Sequence, residues 1–347
     1  MNQRMFKRQA TLQNTVNRLV NKQKVKGAVF RLENRTGTIV HSAAGGNLQA
    51  DTPFYIASIN KLILSAIALR LVAENKIALT DPANRFLPAS LTQGLHVWQG
   101  NDVTGKITIQ HLLSQTSGLP CYLLEKGADG KKMMQQLLNG EDRAVSLEDV
   151  VERVKGMKKL FAPGQKGRAS YGNTNFRLLG GVLETVTGQK LPALLNDLFT
   201  EAGMNKSFVY ENAAQPVQAF YIGEKTVWLP QYLSSSGYDV FSTTGDLMMF
   251  LKAFFNGRFF PVNQMRKLEQ WNNIFFPFRY GIGLQQFYTS RWLSPFKAIP
   301  AMVGHSGSVG TAAFYVPAED IFVTATINQT HRPQLLYQNL VRTISRL

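Results

Sequence analysis

The chain has 347 residues, 44% apolar and 17% charged, enough for one or two buried cores and too apolar for a disordered chain. No low-complexity tract or internal repeat is present. A net charge of +16 comes from scattered Lys and Arg without a basic run, a helix-turn-helix or a base-stacking pattern, which argues against nucleic acid and leaves an anionic cell-envelope polymer as a permitted partner.

The opening MNQRMFKRQATLQNTV has no apolar run of signal-peptide type, and no stretch reaches the roughly 18 apolar residues that span a membrane. The chain as written is therefore expected in the cytoplasm, or in the periplasm or outside the cell if a leader has been removed. Residues 8–23 read as a polar amphipathic helix. KGAVFRLEN and GTIVHSAAGG follow as strands joined by a hairpin turn at Arg35-Thr36-Gly37. A helix is expected from Ser58, another in ITIQHLLSQ with Thr108 as cap, and a third in LEDVVERVKGM behind a Ser146/Asp149 capping box. NFRLLGGVLETVTG and PALLNDLFTEAG are two more, so 58–200 reads as mainly helical. Ser242-Thr243-Thr244 starts the helix GDLMMFLKAFF. RYGIGLQQFY, GTAAFYVP and DIFVTATIN read as antiparallel strands, the last two around a turn at Pro317-Ala318-Glu319-Asp320, and RPQLLYQNLVRTISRL as a terminal helix. The expected architecture is α+β. Residues 1–57 together with 201–347 form an antiparallel sheet region built from both termini, 58–200 a mainly helical region, and the cleft between them holds the site.

A single cysteine, Cys121, excludes an internal disulfide and reads as a small packing residue. The five histidines have no metal-type spacing, so neither a structural zinc nor another metal is expected.

Three motifs carry chemistry. In YIASINKLILSAIALR, Ser58 and Lys61 share one face of the expected helix. A serine in the first turn meets unpaired N–H groups and the positive end of the helix dipole. Burial on this apolar helix lowers a lysine pKa, and a neutral lysine can take the serine proton. Ser294-Pro295-Phe296-Lys297 repeats the spacing without an apolar helix behind it and reads as a loop. The second motif is Tyr171-Gly172-Asn173, after Pro163-Gly164 and leading into a helix. A phenol there can shuttle a proton, and an asparagine can hold a substrate amide or carbonyl. Tyr210-Glu211-Asn212 and Tyr337-Gln338-Asn339 share the pattern but read as structural. The third is His305-Ser306-Gly307, whose small residues let a ligand approach a strand backbone. The Ser308 N–H, with that of Ser58, offers an oxyanion hole. A Gly-x-Ser-x-Gly elbow is excluded, because the fifth position from Gly304 is Ser308.

In this order the motifs resemble the serine β-lactamase and penicillin-binding-protein superfamily, in the branch of class C β-lactamases, DD-peptidases and family VIII esterases. LLSQTSGLP, SGYDVFSTTGDLMMF and YGIGL add to the likeness, which runs from about residue 15 to 345. The resemblance implies a β-lactamase/transpeptidase-like fold and no cofactor. It implies that Ser58 attacks a carbonyl to form an acyl-enzyme, with Lys61 and Tyr171 together as general base. Asn173 orients the substrate, and the N–H groups of Ser58 and Ser308 hold the oxyanion. His305 stands where many members carry lysine, beside Gly307 and Ser308, and would contact substrate or the tyrosine. That departure speaks against an efficient β-lactamase. The resemblance therefore implies a serine hydrolase for a small-molecule ester or a D-amino-acid peptide. A β-lactamase, an acyltransferase and a non-catalytic penicillin-binding sensor stay open beside it.

Overall fold

The computed structural model describes residues 2–289 and 299–345. The loop expected at Ser294-Pro295-Phe296-Lys297 lies outside the described residues. The first helix, α1 (Asn2–Gln23), leads into the hairpin of β1 (Gly27–Asn34) and β2 (Val40–Gly46). Six further strands come from the C-terminal third: β3 (Asn272–Phe275), β4 (Phe278–Tyr280), β5 (Gln285–Phe287), β6 (Met302–Gly307), β7 (Thr311–Val316) and β8 (Ile321–Thr326). They form one eight-stranded sheet in the order β3-β4-β5-β6-β7-β8-β1-β2, antiparallel throughout. Val29 opposite Thr326 and Asn34 opposite Ile321 join the two ends of the chain, so the α+β sheet is built from both termini as expected.

Both faces of the central strands are covered, and the side-chain period of two sorts residues between them. In β8, Val323 and Ala325 pack in one cluster with Leu12, Val16 and Leu19 of α1. Leu336 and Leu340 of the terminal helix, Gln334–Ile344, join that cluster. Phe322 points the other way, into a larger cluster. That cluster runs through α2 (Asn60–Ala73), α3 (Asn173–Thr187) and α4 (Thr244–Phe255). The helix ends follow local chemistry. Thr243 accepts from the Asp246 N–H at the start of α4, and Ser146 and Asp149 form the reciprocal box expected before Leu147–Lys155. Thr108 caps only a short helix, Ile109–Leu113, with His111 completing its box.

Two elements differ from the sequence reading. The helix expected at Ser58 begins at Asn60, and Ser58 lies in a preceding 3-10 turn, Ala57–Ile59. RYGIGLQQFY is two strands, β4 and β5, with a tight turn between them. Gly283 adopts φ +74° in that turn and its N–H donates to Leu113 O at 2.9 Å, tying the sheet to the helical layer. A Cβ at Gly283 would lie 2.6 Å from the Ser65 side chain of α2. Gly283→Ala is therefore expected to lower stability by about 1–3 kcal/mol in urea unfolding. A variant as stable as the parent would show that this turn bears no such constraint.

Candidate active site

The serine is presented by an unusual piece of backbone. Ala57 has φ +49°, a region that non-glycine residues enter at a cost of about 1–3 kcal/mol. The segment is held from both sides: the Ile56 N–H donates to Val240 O at 3.1 Å, and Thr311 Oγ1 donates to Ile56 O at 3.0 Å. The end of β6 crosses close by. A Cβ at Gly307 would lie 2.5 Å from Ile56 O and 3.0 Å from Ala57 Cβ, so the absent side chain permits the crossing.

Lys61 is 3% exposed in the first turn of α2. Its Nζ donates to Ser58 Oγ at 2.9 Å and to Asn173 Oδ1 at 2.7 Å. Burial lowers its pKa to about 8, against the opposing fields of Cys121 and Asp239. Asn173 is the first residue of α3, and the loop before it is braced from behind. Gln115 Oε1 accepts from the Gly172 N–H at 3.1 Å and from Asn175 Nδ2 at 2.6 Å, and Cys121 Sγ accepts from the Asn173 N–H at 3.4 Å. Cys121 thus packs, as expected, directly behind the site.

The Tyr171 ring centroid lies 5.2 Å from Lys61 Nζ. Burial raises its phenol well above the usual range, with the Ser58 hydroxyl acting in the opposite sense, so Tyr171 is protonated near neutral pH. His305 sits behind this ring, 6.2 Å centroid to centroid, and is fully buried. Burial, then the Lys61 charge, lowers its pKa to about 3, which makes it neutral. Its Nδ1–H donates to Ser306 O at 2.8 Å and its Nε2 accepts the Tyr280 hydroxyl at 3.1 Å, a pairing that fits one tautomer. The hydroxyl that His305 meets is that of Tyr280, which the sequence reading did not single out, while Tyr171 is a ring neighbour.

Ser58, Lys61, Tyr171, Asn173 and Ser308 all border one cavity of about 260 Å³; His305 and Gly307 lie outside its wall. Its far side is apolar, with Leu123, Leu124, Met134, Leu138 and Phe220. Of the two other Tyr-x-Asn triplets, Tyr210 is buried with its hydroxyl donating to Ala213 O, and Tyr337 stacks on Phe287 at 5.7 Å.

Among the polar residues of the wall that the sequence reading missed are Asn60 and Asp239. Asp239 is 5% exposed and accepts the Tyr55 hydroxyl at 2.6 Å and Asn60 Nδ2 at 3.3 Å. Burial raises its pKa. The available signal was an acid set directly before the apolar pair Val240-Phe241, a place that calls for a specific partner.

Comparison with known proteins adds to this geometry. Esterase EstB of Burkholderia gladioli is 33% identical over 171 residues, 49% of this chain and 41% of its own length. Penicillin-binding protein 4* of Bacillus subtilis (strain 168) is 25% identical over 286 residues, 75% of this chain and 56% of its own. The chain spans about half the length of the curated relatives it matches. A D-stereospecific amidohydrolase from Streptomyces sp. superposes with a TM-score of 0.77 at 21% identity, over 95% of this chain and 97% of its own, and so shares the fold. The model of one family, Beta-lactamase, matches residues 12–343, from α1 to the terminal helix and through all three motifs. By that match over nearly its whole length, the chain belongs to the Beta-lactamase family, within the serine β-lactamase and penicillin-binding-protein superfamily.

Proposed function

We propose that the protein is a serine hydrolase that forms an acyl-enzyme on Ser58 and cleaves an ester or a D-amino-acid peptide. The observation that carries this reading is the buried Lys61 Nζ, 2.9 Å from Ser58 Oγ with a pKa near 8. Once Lys61 has lost its proton, its nitrogen accepts the Ser58 hydroxyl hydrogen as the oxygen attacks the carbonyl. Negative charge on the former carbonyl oxygen falls to the backbone N–H groups of Ser58 and Ser308, both at the cavity. Tyr171, protonated at neutral pH, relays the proton to the leaving group and is reprotonated from Lys61. Asn173 Oδ1 is engaged by Lys61, which leaves its Nδ2 for the substrate. Water then attacks the acyl carbonyl, and the acid is released with Ser58 restored.

Esterase and amidohydrolase stand in the names of similar proteins and support the hydrolytic reading. A β-lactam carboxylate is served poorly here, because the neutral, buried His305 puts no cation at the cavity wall. This favours hydrolysis of esters or peptides over antibiotic turnover.

Two outcomes are expected. Ser58→Ala lowers p-nitrophenyl butyrate hydrolysis at least about a thousandfold, and intact-mass spectrometry of the parent shows an acyl or penicilloyl adduct on Ser58. Retained activity in Ser58→Ala would refute the nucleophile. Second, kcat/KM rises with pH through an inflection near 8, because only deprotonated Lys61 accepts the proton. A flat profile from about pH 6 to 9 would exclude Lys61 as the base.

A further inference from the structure

The acid in the cavity wall has no part in these steps. Among the described residues Asp239 has no ion-pair partner within 4.0 Å; Arg177 and Lys61 act on it at longer range. Its Oδ1 receives Tyr55 and Asn60. The contact with Asn60 fixes that amide, since only its NH₂ end can face a carboxylate. Asn60 Oδ1 is left turned away, in a residue 2% exposed, without a hydrogen-bond partner among the described residues. A buried acceptor without a donor destabilises a fold unless a ligand or an ordered water supplies the donor.

Two acceptors, the Asp239 carboxyl and Asn60 Oδ1, thus belong to residues lining the cavity that Ser58 also borders. Tyr55, Tyr232 and Tyr238 line the same wall, and tyrosine faces attract cations. Lys61 is not the missing donor, because its Nζ is turned to Ser58 and Asn173. A substrate carboxylate at this wall would meet Asp239 with no cation paired to it within 4.0 Å among the described residues. A neutral apolar group would leave Asn60 Oδ1 unpaired.

We propose that Asp239 and Asn60 form a recognition site for a protonated primary amine on the substrate, next to the acyl position on Ser58. The preferred substrates are then esters or amides that carry an ammonium group near the scissile carbonyl. The catalytic consequence rests on the acyl-enzyme reading above; the binding site itself does not need turnover.

The test separates the two. Calorimetry on the full-length Ser58→Ala protein compares benzylammonium with benzyl alcohol, a neutral ligand of similar size. Benzylammonium is expected to bind at least about tenfold more tightly, with the difference lost in Ser58→Ala/Asp239→Asn and reduced in Ser58→Ala/Asn60→Leu. Equal affinity of the two ligands, which needs no second variant, overturns the ammonium site. So does a difference that survives Asp239→Asn. In the unaltered protein, the ratio of kcat/KM for alanine 4-nitroanilide to that for its N-acetyl form is expected to exceed about ten, and to fall in Asp239→Asn. A chain that binds benzylammonium preferentially but never acylates Ser58 would keep this site and lose the hydrolase reading. A chain that hydrolyses neutral esters yet ignores the ammonium would do the reverse.

Discussion

The ammonium of Lys61 is taken out of water at the seam between α2 and α3, and the rest of the site answers to that burial. Helix α2 is buried on nearly every face, so a charge on it has few solvating partners. Those it has, Ser58 Oγ and Asn173 Oδ1, belong to the candidate site. Desolvation brings the lysine to where it can alternate between acid and base near neutral pH. The same exclusion of water keeps Tyr171 protonated and His305 neutral, so one cause distributes three proton states.

The fold supplies this dry seam through backbone contacts that side chains would prevent. Gly307 lets β6 pass the Ser58 turn, and Gly283 lets the β4–β5 turn reach Ser65 on α2. The sheet therefore touches the segment just before α2 and then Ser65 within it, about two turns on. Behind the second motif, Gln115 and Cys121 hold the loop before α3. The site is thus fixed by at least three separate supports, in keeping with the precision that the proposed placing of Ser58 against Lys61 demands.

Much of this was legible in the sequence, for identifiable reasons. Capping pairs such as Ser146/Asp149 and the turn at Pro317-Ala318-Glu319-Asp320 between β7 and β8 act over a few residues and leave a local trace. Ser58, Lys61, Tyr171 and Asn173, which the structure brings to one cavity, were singled out because each short pattern was supported by the next in order. The failures share another cause. Whether α2 starts at Ser58 or Asn60 depends on a strained Ala57 that distant Thr311 and Val240 hold in place. The burial of His305 is set by Tyr280 and Tyr171, and the position of Asp239 by Tyr55 and Asn60. These are long-range pairings, and no local propensity reports them.

The pairing of β1 with β8 has a further meaning in time. Residues near 29 and 326 must meet before the sheet is complete, and Gly307 must arrive before the Ser58 turn is clamped. Contacts so far apart in the chain form late, and a growing chain exposes its N-terminal part first. Ser58 and Lys61 are made early, but the turn that carries Ser58 is not clamped until Gly307 and Thr311, from the late strands β6 and β7, are in place. The architecture thereby ties the geometry of the Ser58 turn to completion of the sheet: an unfinished chain carries these residues without the clamp that positions them.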